Sequence, residues 1–167
     1  PVAIISTNID EKPHCRELPP RYALRMAHEK ALAAALPDHI EHRAVVLAGD
    51  TVVAVGRRIL PKTETEDQAR ACLTLLSGRR HRVHGGIALR LADGTLRSRL
   101  VTSSVIFKRL HRDEIDAYIG TGDWQGKAGG YAIQGPAAAY IRHIDGSFSN
   151  IVGFSLYDVS ALLATHG

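Results

Sequence analysis

The sequence predicts an α/β fold in which a mixed β-sheet is flanked by helices, and three observations support this class. Residues 44–55 form a valine-rich segment that is apolar on both faces, which is typical of an interior strand. Asp93-Gly94 is a hairpin turn signal between two further strand-like segments. Helix signals alternate with these strands, and a helix must bury its apolar face against a sheet or another helix.

The first predicted helix spans residues 21–36. Pro19-Pro20 opens it, because proline is tolerated in the first turn of a helix, and Pro37-Asp38 ends it. Its apolar side chains recur at helical spacing, at Leu24, Ala27, Ala31 and Ala35. A second helix is expected between the capping-box sequence Thr65-Glu66-Asp67-Gln68 and the stop signal Ser77-Gly78.

The second half of the chain continues this alternation. Residues 82–91 and 96–107 are predicted strands, and Val101, Val105 and Phe107 keep the period-two register of a strand. The remaining predicted elements are a short helix over 113–119, a glycine-rich loop over 120–130, short strands over 131–134 and 138–143, and an amphipathic helix over 154–164.

Composition indicates one ordinary globular domain over residues 1–167. Hydrophobic residues make up 45% and charged residues 23% of the chain, and no apolar run approaches the roughly 18 residues of a membrane span. No charged and then apolar leader opens the sequence. Its two cysteines, Cys15 and Cys72, form no metal or redox motif, so a reduced cytoplasm is the expected location.

The net charge of +4 suits anionic partners, which include nucleic acid, membrane surfaces and phosphorylated small molecules. Only 5% of residues are aromatic, which leaves few platforms for stacking single strands. No helix combines a basic face with bulky aromatic residues, as a membrane-surface helix would. We therefore expect neither stable nucleic-acid binding nor membrane binding, and a solvated basic face is the simplest alternative for the charge.

Asp50 is the most informative residue, because it interrupts an otherwise apolar strand. Burying an unpaired carboxylate costs several kcal/mol, so Asp50 must be paired, metal-bound or functional. The structural alternative is a pair with a buried arginine or a turn cap. Gly49 permits close approach of a ligand, and Thr51 falls on the opposite face of an ideal strand.

Three lysines lie near the ends of predicted elements: Lys30, Lys62 and Lys127. Lysine is a compact charge suited to phosphate, although each lysine alone fits a solvated surface position. Gly126-Lys127 does not complete a P-loop, since Thr121 and Ala128 stand where glycine and a hydroxyl residue are required. No Gly-x-Ser-x-Gly elbow is present, which disfavours a serine hydrolase.

The nine histidines do not predict a zinc site. None of them shows the i, i+4 spacing of a zinc helix, and His81 and His84 point to opposite faces of one strand. A hard divalent cation, held by carboxylate and phosphate oxygens, fits this sequence better.

Taken together, the sequence resembles the Maf nucleotide pyrophosphatases over nearly its whole length. The matching segments, in the order of the family, are Asn8-Ile9-Asp10-Glu11, Ala27-His28-Glu29-Lys30-Ala31, Ala48-Gly49-Asp50-Thr51-Val52-Val53, Ile59-Leu60-Pro61-Lys62, Leu76-Ser77-Gly78, His81, the run from Gly126-Lys127 to Gln134-Gly135, and Ser149-Asn150-Ile151-Val152-Gly153.

This resemblance implies an elongated α/β domain with a central cleft, a homodimer, and cleavage between the α- and β-phosphates of a nucleoside triphosphate. It implies that Asp50 is the catalytic acceptor, supported by Lys30 and Lys62, and that Glu11 and Asp50 bind Mg²⁺ or Mn²⁺. Thr51, Lys127 and Gln134 match substrate-binding positions. The Ala-Ile-Gln-Gly form of the last motif is similar to the dTTP/UTP branch, whereas the 7-methyl-GTP branch typically has glutamate there.

Two departures from the family pattern stand out. The Ser-x-Ser-x-Arg-Arg loop that follows the family's first strand has no match here, and Pro1 starts beyond it, so an N-terminal strand and loop are expected to be missing. Gly85 stands where the family commonly has threonine.

Two alternatives to dTTP and UTP hydrolysis remain open at this point. One is a house-cleaning pyrophosphatase for modified nucleotides. The other is a nucleic-acid-binding or cell-division regulatory protein without catalysis, which would release no pyrophosphate from a free triphosphate.

Overall fold

The computed structural model of the chain describes residues 3–36 and 44–164. Its strands are β1 (Val46–Val55), β2 (Arg58–Ile59), β3 (Arg80–Arg90), β4 (Leu96–Phe107) and β5 (Ile141–Asp145). Its helices are α1 (Pro19–Ala33), α2 (Glu66–Leu76), α3 (Arg112–Thr121), α4 (Phe148–Val152) and α5 (Leu156–Ala164), with a 3-10 helix at Pro136–Tyr140. Helix α1 ends at Ala33, before the predicted end at residue 36, and Pro37-Asp38 lies outside the described residues.

The strands form one sheet in the order β2-β1-β3-β4-β5. The α/β class is confirmed, and every strand pairing over the described residues is antiparallel, whereas a mixed sheet was expected. The β1–β2 hairpin reverses the chain, and α2 then returns it to the end of the sheet where β1 finishes. Strand β3 therefore enters beside β1 in the opposite direction.

Helix α1 covers one face of the sheet, and the other helices pack on the opposite face. Ala27 and Ala31 of α1 pack with Ala88 of β3. On the opposite face, the main core joins α2 and α3 to the sheet through residues that include Leu73, Phe107 and Tyr118. Small side chains on α1 let this helix lie close to the sheet.

Gly86 is the point of closest approach between α1 and β3. A Cβ atom added at Gly86 would lie 2.1 Å from the carbonyl oxygen of Ala23, so any larger residue forces the helix away from the strand. Gly86 is also the register partner of Asp50. The close packing of α1 at Gly86 therefore sets how near α1 comes to the strand that carries Asp50.

We expect Gly86→Ala to lower the free energy of unfolding by about 2 kcal/mol or more, in the upper part of the range for overpacking, because rigid backbone must move. Gly120→Ala is the matched control. Gly120 lies in α3 with nothing within 4 Å of an added Cβ, so this substitution should be neutral or stabilising by up to about 1 kcal/mol. Urea unfolding of both variants measures the difference, and equal midpoints would contradict this account of α1 packing.

Local signals predicted several elements well. Thr65 and Gln68 form the predicted capping box at the start of α2, and Pro19 lies in the first turn of α1. Strand β4 spans Leu96–Phe107, as predicted. Cys72 is a buried member of the main core, as its position in the helical pattern indicated.

The segment after the glycine-rich loop differs from its prediction. Residues 131–132 are irregular and residues 133–135 form a turn, rather than a strand, because Gly129 and Gly130 hold consecutive left-handed conformations with φ of 70° and 73°. The predicted strand at 138–143 is the 3-10 helix followed by β5. The closing helix begins at Leu156, not at residue 154, and the short helix α4 was not predicted.

Asn150, in α4, lies directly against Gly85 of β3. Asn150 is fully buried, and its Nδ2 donates to the carbonyl oxygen of Val83 and to Ser103 Oγ. A Cβ atom at Gly85 would lie 2.0 Å from Asn150 Oδ1. Glycine at position 85 therefore lets α4 dock on β3 and β4 through this asparagine.

Within the described part of the chain, none of the helices is long and apolar enough to cross a bilayer.

Candidate active site

The candidate site lies along the outer edge of β1. Strand β2 pairs with β1 only near its end, at Ala54 and Val55, and the register brings Leu60 beside Val53, where its backbone N–H donates to the Val53 carbonyl oxygen at 2.8 Å. The earlier part of this edge borders two adjoining cavities. Asp50, Thr51, Lys62 and Ala128 line both of them.

Asp50 is bound by a lysine, not by the arginine that the structural alternative required. Its side chain is 5% exposed, and Lys30 Nζ donates to its Oδ1 at 2.6 Å. Lys30 is 16% exposed, so it is not the solvated surface lysine that its local sequence favoured. Lys62 Nζ lies 4.0 Å from the same oxygen.

Glu11 joins this cluster from the segment that precedes α1. Its two carboxylate oxygens accept from Lys30 Nζ and from Lys62 Nζ, each at 2.8 Å. Two carboxylates and two ammonium groups thus neutralise one another. The sequence predicted all four residues as site residues, and the structure brings them together.

The electrostatics keep Glu11 and Lys30 charged. The hydrogen bond from Lys30, followed by that from Lys62, lowers the pKa of Glu11 to about 2. Burial alone would lower the pKa of Lys30, but the hydrogen bonds to Asp50 and Glu11 outweigh burial, and its pKa is raised. Lys30 therefore stays a cation while it holds the two carboxylates.

The segment that carries Glu11 is anchored to α1. Tyr22 Oη donates to the Glu11 carbonyl oxygen at 2.6 Å, and Arg25 donates to the Lys12 carbonyl oxygen and forms an ion pair with Glu17. Burial, and then the charges of Asp50 and Glu11, raise the pKa of Tyr22 to about 12. Sequence reasoning missed Tyr22 and Arg25, because their partners lie outside the helix that holds them.

Lys127 and Gln134 line the first cavity, which has a volume of about 300 Å³, together with Lys30 and Phe154. Backbone hydrogen bonds fix the loop that carries Lys127: Gly126 N–H donates to the Thr63 carbonyl oxygen and Gly129 N–H to that of Pro61. This contact places Lys62 and Lys127 at the same cavity. The side chains of Lys62 and Lys127 are both exposed, so they can contact a ligand.

Thr51 borders the cavity, but its hydroxyl is engaged elsewhere. Thr51 Oγ1 donates to the Gly153 carbonyl oxygen at 3.3 Å, which ties β1 to the end of α4. Phe154, which sequence reasoning missed, follows directly. A Cβ atom added at Gly49 would lie 2.5 Å from its ring, so the ring rests on that glycine.

The second cavity, of about 390 Å³, is lined by Glu11, Lys12 and Tyr22 in addition to the four shared residues. Asp50 therefore lies where the two cavities meet. The first cavity contains Gln134 and Phe154, and the second is next to Glu11.

Tyr131 connects the first cavity to the core. Its hydroxyl and His81 Nε2 lie 2.8 Å apart, and both rings pack edge-on against Phe107. His81 Nδ1 is buried and has no hydrogen-bond partner among the described residues. Burial lowers the pKa of His81 to about 4, so the ring is neutral at pH 7.

His81 predicts how stability depends on pH. Histidine in an unfolded chain titrates near about 6.5, so between that pH and about 4 the unfolded state takes up a proton that the folded state excludes. We expect the free energy of unfolding to fall as pH decreases through this window, by up to roughly 3 kcal/mol from His81 at about 1.36 kcal/mol per pKa unit.

Urea unfolding of the parent and of His81→Gln, at several pH values between about 4 and 6.5, measures how much of the stability loss comes from His81. His84, whose pKa burial also lowers, contributes to both proteins alike. The variant should lose less stability on acidification, and parallel pH profiles would contradict the assignment.

The carboxylates of Asp50 and Glu11 could bind a hard divalent cation only together with oxygens from the substrate and water, which would fill the remaining coordination positions. Asp50 and Glu11 offer carboxylate oxygens of the kind that Mg²⁺ and Mn²⁺ prefer. No group of three or more acidic, histidine or cysteine side chains that could hold a metal occurs within residues 3–36 and 44–164. A cation at Asp50 and Glu11 would therefore draw its remaining ligands from phosphate oxygens and water.

Fold and site together define an α/β protein with a lysine-rich cleft built around one buried carboxylate, which is the class of site that binds a polyanion. The chain belongs to the Maf family: the family model described as "Maf-like protein" matches residues 1–166.

Similar proteins carry one name. The chain is 56% identical to a dTTP/UTP pyrophosphatase of Paramagnetospirillum magneticum, over 100% of this chain and 86% of that protein. It is 54% identical to that of Maricaulis maris and 55% identical to that of Rhodospirillum rubrum, in each case over 100% of this chain and 78% of the relative.

Proposed function

We propose that this protein is a nucleoside triphosphate pyrophosphatase that hydrolyses dTTP and UTP to the monophosphate and pyrophosphate. The position of Asp50 carries the proposal, because this carboxylate stands where the two cavities meet. A nucleoside in the first cavity and terminal phosphates in the second would bring the α-phosphate to Asp50. The names of the relatives support the same substrates.

In this proposal Asp50 orients the attacking water and accepts its proton. Lys30 holds the carboxylate in place through the 2.6 Å hydrogen bond to Oδ1. Lys62 and Lys127 offset the negative charge that develops on the phosphate oxygens, and such preorganised charge is a large source of rate enhancement. Positioning by the cleft supplies the rest.

Asp50 and Glu11 would hold the divalent cation, Mg²⁺ or Mn²⁺. A bound cation would supply Lewis-acid chemistry, which would offset phosphate charge and make a nearby water more acidic. Lys30 and Lys62 now occupy oxygens of both carboxylates, so these lysines exchange some of those contacts for phosphate when metal and triphosphate bind. A triphosphate is the natural partner for the freed ammonium groups.

A nucleotide panel with Mg²⁺ or Mn²⁺, and with a chelator as the blank, tests the proposal. We expect dTTP and UTP to yield one pyrophosphate per monophosphate, with no activity in the chelator. Stepwise release of single phosphates would overturn the pyrophosphatase assignment. A preference for a modified nucleotide over both dTTP and UTP would overturn the substrate assignment alone.

A homodimer, a cytoplasmic location and the absence of stable nucleic-acid and membrane binding stay predictions.

A further inference from the structure

Thr63 is a fully buried residue between two exposed neighbours, Lys62 and Glu64. Its hydroxyl donates to the carbonyl oxygen of Trp124 at 2.6 Å and lies 3.3 Å from that of Lys127. The proposed reaction gives Thr63 no role, but its hydroxyl contacts the turn that carries Lys127.

Backbone hydrogen bonds also join the two segments. Thr63 N–H donates to the Lys127 carbonyl oxygen at 3.2 Å, and Gly126 N–H donates to the Thr63 carbonyl oxygen at 2.8 Å. Lys62 and Ala128 face each other as an isolated antiparallel bridge. This short ladder holds the backbones of Lys62 and Lys127 beside the first cavity, which both residues line.

The Thr63 hydroxyl is not needed to satisfy either carbonyl group. The Trp124 carbonyl oxygen also accepts from Lys127 N–H at 3.1 Å, and the Lys127 carbonyl oxygen also accepts from Gly130 N–H at 3.0 Å. Buried polar groups need a hydrogen-bond partner, but both acceptors keep a backbone donor when the hydroxyl is removed. The hydroxyl therefore contributes to the geometry of the turn, not to the satisfaction of an otherwise unpaired carbonyl.

The turn depends on such contacts because it is rich in glycine. Within residues 126–130, three glycines hold left-handed conformations, and glycine has more conformational freedom than any other residue. Trp124, at the start of the turn, is 4% exposed, and its Nε1 donates to a carbonyl oxygen of α3 at 2.9 Å. The Thr63 hydroxyl thus binds the turn at its buried, anchored end.

We propose that the Thr63 hydroxyl is a positioning group for Lys127, which keeps this cation at a fixed place beside Lys62 so that both meet the phosphates of the substrate. The inference rests on the proposed function and deepens it, since it names a residue that arranges the phosphate-binding pair. Lysine has a flexible four-carbon stem, so the position of its backbone limits where the ammonium group can bind.

Thr63→Val tests the proposal, because it removes the hydroxyl and keeps the branched shape. We expect kcat/KM for UTP to fall at least about tenfold, since misplacement by about 1 Å can cost about 10²-fold. Thr63→Ser keeps the hydroxyl and should stay within about threefold of the parent, because the hydrogen bond to Trp124 is retained. Thr74→Val is the control, since Thr74 is an exposed threonine of α2 whose hydroxyl donates to the Arg70 carbonyl oxygen, and it should match the parent.

Lys127→Met separates positioning from a general effect on the fold. If Thr63 acts through Lys127, then Thr63→Val should change kcat/KM by less than about twofold in the Lys127→Met protein, which is close to the error of such cycles. A loss of the same size in both backgrounds would overturn the proposal. Parent-like activity of Thr63→Val, or equal activity of Thr63→Val and Thr63→Ser, would overturn it too.

If circular dichroism shows that Thr63→Val is not folded, Thr63→Ala takes its place in the same comparisons. Thr63→Ala and Thr63→Ser both lack the methyl group and differ only in the hydroxyl. Equal activity of these two variants would then overturn the proposal.

Binding of α,β-methylene-UTP, which cannot be cleaved between its α- and β-phosphates, tests the same coupling without catalysis. With Mg²⁺ present, titration calorimetry should show weaker binding to Thr63→Val than to the parent, and no further weakening when Thr63→Val is added to Lys127→Met. Independent losses in affinity would contradict the positioning role. A parent that binds the analogue but releases no pyrophosphate from UTP would overturn the proposed function alone, and a parent that binds neither nucleotide would overturn both.

Discussion

Replacing Asp50 with asparagine is expected to lower kcat by about 10²- to 10⁴-fold, the typical cost of losing a general base. The amide keeps the shape of the side chain but neither accepts a proton at neutral pH nor carries the charge. The protein should stay folded, because Lys30 retains its ion pair with Glu11 at 2.8 Å. Steady-state kinetics with UTP and Mg²⁺, together with circular dichroism, measure both effects.

Asp145→Asn is the matched control for this substitution. Asp145 is an exposed aspartate at the end of β5, on the edge of the sheet opposite to β2 and β1. Its replacement should leave turnover unchanged. A folded Asp50→Asn protein with turnover close to that of Asp145→Asn would refute the catalytic assignment.

Replacing Lys30 with methionine is expected to be the more damaging change for stability. Methionine keeps the length of the side chain but leaves the carboxylate of Asp50, which is 5% exposed, without its closest counter-charge. Removing one partner of a buried ion pair typically costs about 3–5 kcal/mol. Because Lys62 lies 4.0 Å from Asp50 and offers partial compensation, we expect a loss near the lower end, about 3 kcal/mol.

Urea unfolding of the parent, of Lys30→Met and Asp50→Asn, of the double variant and of a control tests this expectation. In the double variant Lys30→Met with Asp50→Asn, the buried charge is also gone, so much of the lost stability should return. Lys108→Met removes a more exposed ion pair with Glu114 and serves as the control, with an expected loss of about 1 kcal/mol or less. Additive losses in the double variant would contradict direct coupling between Lys30 and Asp50.

The sequence pointed to residues that the structure brings together at Asp50, but it did not indicate the direction in which the strands pair. Asp50 stood out because a carboxylate in an apolar strand has few explanations, and such a signal is local. The capping box of Thr65 and Gln68 is local too, and the structure contains it as predicted. Glu11, Lys30, Lys62 and Lys127 came from the resemblance to a family, because each is an ordinary surface residue in its own segment.

What could not be predicted depends on contacts between distant segments. Gly86 looks like any glycine in a strand until α1 is placed on it, and the close contact between Gly85 and Asn150 joins two different elements. The antiparallel sheet follows from where α2 returns the chain, which no local pattern encodes. Residues 131–134 have strand-like composition, but the two preceding glycines turn the chain.

The central claim is that water attacks the α-phosphate beside Asp50. Hydrolysis of UTP in water labelled with oxygen-18, followed by mass spectrometry of both products, tests it most directly. Attack at the α-phosphate places one labelled oxygen in UMP and leaves pyrophosphate unlabelled, which is the result that the position of Asp50 predicts. Label in pyrophosphate, or in single phosphate, would place the attack at another phosphorus and contradict this account of the site.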